Sequence, residues 1–231
     1  MRVKPAHFGR NMPSPFQRFY RRLRFGAPIV VVSGLPRSGT SMLMKMLEAG
    51  GLSVMTDGQR TADEDNPRGY FEVERIKGLA QEGDRAWLAG ARGKAIKVIS
   101  YLLRSLPRQF NYRVVFVSRD LDEVLASQGK MMARRGETDE IPPEKMRELF
   151  EKDLGRARHL LAYEPQFESL EVEHAAILAR PLEQAGRIAG FLGGRLDVQA
   201  MAAAVDPALY RNRARVRGKG RAETPAAADA E

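Results

Sequence analysis

With 231 residues, 43% apolar and 29% charged, the chain is long enough to bury one sizeable core. It has no cysteine, which excludes disulfide scaffolds, thiolate metal sites and cysteine nucleophiles, and its three histidines, His7, His159 and His174, are too scattered to spell a metal motif. The formal net charge of +9 gathers at the ends: Met1 to Ala27 holds seven basic residues and no acid, Arg211 to Arg221 holds six and no acid, and the stretch between is nearly neutral.

Such ends read as solvated arms, or as cations for a polyanion or for an anionic ligand held by the body. The arginine-rich start has the composition of a transit peptide but runs almost at once into a strand. No apolar run nears the ~20 residues of a membrane helix, and no hydrophobic stretch follows the first basic residues. A soluble, cytoplasmic protein is expected, with no membrane span and no specific nucleic-acid partner.

Ser14 and Pro15 suit the cap and first position of a helix over Pro15 to Phe25 with an arginine-rich face, and Gly26 ends it. Pro28 to Ser33 is an apolar, β-branched run, as in a strand buried on both faces of a parallel sheet. A glycine-bounded loop, Gly34 to Gly39, leads into a helix over Thr40 to Ala49 that Gly50 and Gly51 close. Leu52 to Thr56 reads as a short second strand, and Asp57 to Gly69 as polar and turn-rich. Ala95 to Ser100 and Arg113 to Ser118 read as two more buried strands, the latter followed by a helix over Leu121 to Arg135. Glu168 to Glu173 is a weaker fifth strand, and Pro181 to Leu192 a helix with proline in its first turn. Strands alternating with helices at this spacing favour a three-layer α/β domain, a central parallel sheet of about five strands flanked by helices. Ligands of such sheets bind beyond the carboxyl ends of the strands. From about Ala214 the composition collapses to arginine, glycine, alanine and proline, so 214–231 is expected to be a disordered tail.

The segment Gly34-Leu35-Pro36-Arg37-Ser38-Gly39-Thr40-Ser41 has the GxxxxG spacing of a nucleotide phosphate loop, with Thr40 where a nucleoside triphosphatase carries lysine. Loop amides and the start of the next helix still converge on an anion there. Without the lysine, and with Arg37 two residues before Gly39, the loop suits a phosphate better than a diphosphate with magnesium. A second constellation is Arg119, at the end of a buried strand, with Ser127 two helical turns on, so that both can reach one anion. Two other classes fit less of this pattern. One is a kinase or triphosphatase with an atypical loop, in which Asp120 would hold magnesium; the other is a non-catalytic nucleotide- or polyanion-binding protein.

Together these segments resemble the sulfotransferase superfamily, whose P-loop-like α/β members use 3′-phosphoadenosine 5′-phosphosulfate as donor. The family's P-[KR]-S-G-T-[TS] loop is matched by Pro36, Arg37, Ser38, Gly39, Thr40 and Ser41, and its strand, arginine and later serine by Arg119 and Ser127. Glu171 to Gly193 and Asp206 to Arg211 look like the closing segments of bacterial members, so the resemblance spans Pro28 to about Arg213, after a basic arm over 1–27. It implies that the loop holds the donor's 5′-phosphosulfate and that Arg119 and Ser127 hold its 3′-phosphate. It further implies that Arg37 neutralises the leaving oxygen, that Lys97 assists near the transferring group, and that no metal is needed.

The sequence also departs from the family. Small-molecule members carry Lys-x-His on the intervening strand, and here Lys97 is followed by Val98 and Ile99. Carbohydrate members use a carboxylate, for which Glu72 is the first candidate, flanked by apolar residues, with Asp65 and Glu64 behind it. The C-terminal R-K-G element has only a loose echo in Arg217-Gly218-Lys219-Gly220. The acceptor is expected to be a small molecule or carbohydrate, bound by loops 57–71 and 129–143, with Trp87 and Tyr70 as stacking candidates. Acceptor identity and oligomeric state are not written in these motifs.

Overall fold

The β-branched run after Pro28 sends alternate side chains to opposite sides, and each side is dry. A computed structural model describes residues 14–57, 71–81, 84–136 and 141–206. In it, β1 (Ile29–Gly34), β2 (Ala95–Lys97), β3 (Tyr112–Ser118) and β4 (Phe167–Glu173) form one parallel sheet in the order β2-β1-β3-β4. Around it lie α1 (Pro15–Phe25), α2 (Thr40–Ala49), α3 (Glu74–Lys77), α4 (Leu121–Arg135), α5 (Pro143–Tyr163), α6 (His174–Ala179), α7 (Pro181–Leu192) and α8 (Val198–Ala203). Ile29, Val31, Val114 and Phe116 face one core with Ala157 and Leu161 of α5 and the helical turn Ser100–Ser105. Val30, Val32, Val115 and Val117 face the other, with Leu43 and Leu47 of α2, Ile188 of α7 and Met201 of α8. The three-layer α/β expectation holds.

Four strands are found among the described residues, one fewer than expected. Leu52 to Thr56 supplies only a single bridge, Val54 to Ala95. Beyond it the Asp57 amide turns away to the Glu72 carbonyl, at 3.2 Å, and β2 is too short to hold a longer partner. The second strand of the middle region stops at Lys97, not Ser100, because Ser100 opens a 3₁₀ turn. Most of the expected 129–143 loop is also absent: Gly129 to Arg135 is the end of α4, and Pro143 is the first residue of the 21-residue α5. That helix escapes a periodicity reading because its buried stripe is thin, only Ala157 and Leu161 being buried. The tail, the closing segment from Pro207, residues 58–70 with Glu64, Asp65 and Tyr70, and the 217–220 echo lie outside the described residues.

Candidate active site

The ladder pairs Val32 with Lys97, Gly34 with Val117, and Ser118 with Glu173. The chain therefore leaves all four strands at one edge of the sheet, in the spatial order Lys97, the glycine loop, Arg119, His174. Gly34 closes the strand where a Cβ would lie 2.5 Å from both the Ser38 hydroxyl and the Val117 carbonyl. Gly39 has φ of 103°, and a Cβ there would meet the His174 ring at 2.5 Å. Both positions admit only glycine.

Between them Arg37 holds φ of 66°, a left-handed backbone that costs a non-glycine residue roughly 1–3 kcal/mol. It is held at both its backbone and its side chain. The Arg119 guanidinium donates to the Arg37 carbonyl at 3.0 Å, and Arg37 Nε donates to the Ser127 hydroxyl at 3.1 Å, with its Nη1 4.0 Å from Met131 Sδ. The loop and the second constellation are thus one structure. Ser38 is buried, and its hydroxyl has no hydrogen-bond partner among the described residues. Thr40 and Ser41 open α2, whose N-cap, Gly39, offers no side chain to its first amides. Uncapped helix amides, a buried hydroxyl and a nearby guanidinium make a cradle for an anion.

Arg119, Glu123 and Ser127 lie one turn apart on one side of α4 and its approach. The Arg119 Nε donates to the Glu123 carboxylate at 2.9 Å in a largely dry pair, so part of its charge is already matched inside the protein. Asp120 caps α4 through Oδ1, which accepts from the Asp122 and Glu123 amides at 2.9 and 3.1 Å.

His174 begins α6 directly after β4 and is only 7% exposed. Burial, reinforced by the Arg119 guanidinium and opposed by the Glu123 carboxylate, pushes its pKa down to about 4, so the ring against Gly39 is neutral at pH 7. On the other side of the loop, Lys97 Nζ lies 3.2 Å from Glu72 Oε1, so the base candidate meets an ammonium and not only its apolar neighbours Phe71 and Val73. The Glu72 carbonyl accepts from Thr56 Oγ1 and the Asp57 amide, both at 3.2 Å, which ties this segment to the β2 edge. Nearby, the Ser100 hydroxyl donates to Asp153 of α5, whose carboxyl is raised above the usual range by burial, the Ser100 bond and the arginines Arg104 and Arg156 acting against it.

Glu123, Asp153 and His174 are absent from a reading of motifs alone. The signal for His174 is positional: it follows β4 as Arg119 follows β3, at the same edge. Trp87 packs against the core rather than standing free to stack.

No protein-family model matches the sequence, and no curated protein matches it. Solved structures that resemble the chain include a sulfotransferase domain from the curacin biosynthetic pathway, 14% identical with a TM-score of 0.47, the match covering 80% of this chain and 89% of that one. A retinol dehydratase, in complex with androsterone and the inactive cofactor PAP, is 17% identical with a TM-score of 0.46 over 81% of this chain and 67% of its own. An unliganded sugar kinase from Janibacter sp. HTCC2649 is 18% identical, with a TM-score of 0.37 over 79% and 98%. These likenesses are distant. The α/β class itself is set by the four-stranded parallel sheet with helices on both faces.

Proposed function

We propose that the protein is a sulfotransferase that moves a sulfuryl group from 3′-phosphoadenosine 5′-phosphosulfate to a hydroxyl or amine of a small-molecule or carbohydrate acceptor. The observation that carries this reading is the join between Arg37 and Ser127: the anion loop and the second constellation share one hydrogen-bonded arginine. When bound, the donor supplies an activated sulfuryl group whose bond to the bridging phosphate oxygen breaks as a bond to the acceptor oxygen or nitrogen forms. The rest is positioning and charge. The amides of Gly39 to Ser41 with the Ser38, Thr40 and Ser41 hydroxyls hold the 5′-phosphate, beside Pro36, which stiffens the loop. Arg37 meets the charge that builds on the departing oxygen, and Lys97 steadies the transferring group. Glu72, beside Lys97, takes the acceptor's proton. Arg119 and Ser127 complete the site toward the 3′-phosphate, with Arg119 already oriented by Glu123. No step calls for a metal.

Calorimetry with adenosine 3′,5′-bisphosphate and with adenosine 5′-monophosphate, both without magnesium, tests the donor assignment. The bisphosphate should bind far more tightly, and equal affinity for the two would sink the reading. Release of the bisphosphate from the donor, measured over a panel of phenols, amines and sugars, then tests turnover.

A further inference from the structure

Helix α1 is amphipathic the reverse way round for a helix that rests on a core. Phe16, Phe19, Tyr20 and Leu23 keep the spacing of one helical face. They are 76, 65, 52 and 76% exposed. The opposite face grips the body: Arg18 pairs with Glu168, and Arg21 donates to Asn111 Oδ1 at 3.0 and 2.7 Å and to the Gln166 carbonyl at 2.7 Å. A capping box between Ser14 and Gln17 and a proline at the first position stabilise the helix where it stands. Anchored by its arginines, it cannot turn its aromatic stripe inward. Arg22 and Arg24 are exposed and lie roughly 100° to either side of that stripe at 3.6 residues per turn.

We propose that this face docks on an anionic membrane surface, the helix lying in the headgroup layer with Phe16, Phe19, Tyr20 and Leu23 immersed and Arg22 and Arg24 on lipid phosphates. Charge selects this occupant. Arg22 and Arg24 flank the stripe and no acid occurs in the first 27 residues, so a second copy laid on the same stripe would bring like charge against like charge, whereas an anionic leaflet complements it. Each basic residue near such a surface adds roughly fivefold to partitioning. The anchor points Asn111, Gln166 and Glu168 sit at the starts of β3 and β4, while the anion loop leaves the far end of β1. Seven-residue strands span about 20 Å, so the docked protein holds its site away from the lipid, open to soluble ligands. This inference does not depend on the reaction proposed above.

The test sediments the full chain with vesicles of phosphatidylcholine holding about one-quarter phosphatidylserine, and with phosphatidylcholine alone, at low and high salt. Binding should favour the anionic vesicles by at least about tenfold and fall with salt. Phe16→Ser with Leu23→Ser should weaken it by at least about tenfold, with the circular dichroism spectrum and nucleotide affinity unchanged, since both side chains are exposed. Arg22→Glu with Arg24→Glu should weaken it on anionic vesicles only. Equal partition of the wild type between the two lipids, or a serine double variant that binds like the wild type, overturns the proposal. So does a wild-type dimer in sedimentation velocity that the serine variant dissolves, because the stripe then belongs to a second copy. Capture by an acidic protein with no vesicle binding overturns it equally.

Discussion

Arginines crowd both ends of the sheet, and the two groups are held differently. At the amino end, Arg18 and Arg113 converge on the carboxylate of Glu168, itself only 3% exposed, and Arg21 is spent on Asn111 and a backbone carbonyl. Arg113 donates its remaining reach to the Leu192 carbonyl at 2.9 Å. That end ties its arginines to one buried carboxylate and to amide and backbone oxygens of the fold. At the carboxyl end, Arg37 rests on a neutral hydroxyl and a thioether on a strained backbone, and Arg119 shares its charge between Glu123 and the Arg37 carbonyl. Arginines that converge on a buried carboxylate at the strands' starts hold the fold together, while Arg37, propped on a serine at a strand's carboxyl edge, would be open to a ligand's charge.

Removing the shared carboxylate at the amino end should have the largest effect on stability. Glu168→Ala leaves Arg18 and Arg113 facing an emptied, half-dry site, a loss of about 3 kcal/mol in urea unfolding, with the affinity of the refolded protein for adenosine 3′,5′-bisphosphate kept. Breaking the other end should do the reverse. Arg37→Ala keeps the left-handed backbone and its strain and removes one part-buried side-chain hydrogen bond, so unfolding should change by only about 1 kcal/mol, but turnover should drop on the order of a hundredfold because charge on the leaving oxygen exists only in the transition state. If Arg37→Ala cost affinity and spared turnover, Arg37 would be a binding residue and the contrast between the two ends would lose its chemical meaning.

The neutral His174 ring offers a probe of the open end. Its pKa in the fold, about 4, lies below the usual value of 6.5, so the unfolded chain takes up a proton that the folded chain refuses. Stability is unaffected above about pH 6.5 and falls as pH drops from there toward 4, by about 3 kcal/mol across the window. Unfolding of the wild type and of His174→Gln at several pH values should show this slope in the first and not in the second. An equal slope in both would move the acid sensitivity to another group.

Much of this was legible in the chain. The bounds of α1, α2, α4 and α7 agree with caps, prolines and glycines that act within a few residues. β1 and β3 agree because a strand buried on both faces is a continuous apolar run. Where the outcome depended on partners distant in sequence, local pattern was mute. Val54 has strand composition but finds only one bridge, and α5 is helical with little apolar stripe to announce it. The site divides in the same way. Spacing pointed to Arg37, Arg119 and Ser127 as candidates, yet the arrangement in which Ser127 props Arg37 and Glu123 takes Arg119 depends on the register of three strands. The turn of α1, apolar face outward, is dictated by where Glu168 and Asn111 lie in the fold, which no wheel drawn on residues 15–25 contains.

Ser127→Ala should give the smallest effect and separates two roles for that hydroxyl. As a prop for Arg37, Ser127 contributes one hydrogen bond at 3.1 Å to a charged donor, worth about 1.5 kcal/mol, or roughly tenfold. That loss would fall on turnover, because the guanidinium is then free to leave the position where charge develops. As a direct ligand of a 3′-phosphate, the same hydroxyl would instead lower affinity for adenosine 3′,5′-bisphosphate and leave the monophosphate unchanged. The two losses appear in different measurements, steady-state turnover at saturating donor and calorimetric affinity, and the double variant with Arg37→Ala decides between them. If Ser127 works through Arg37, removing it from an Arg37→Ala background costs nothing further in turnover. If its loss adds in full to that of Arg37, the hydroxyl reaches the nucleotide by itself, and the bond between the two residues contributes nothing to turnover.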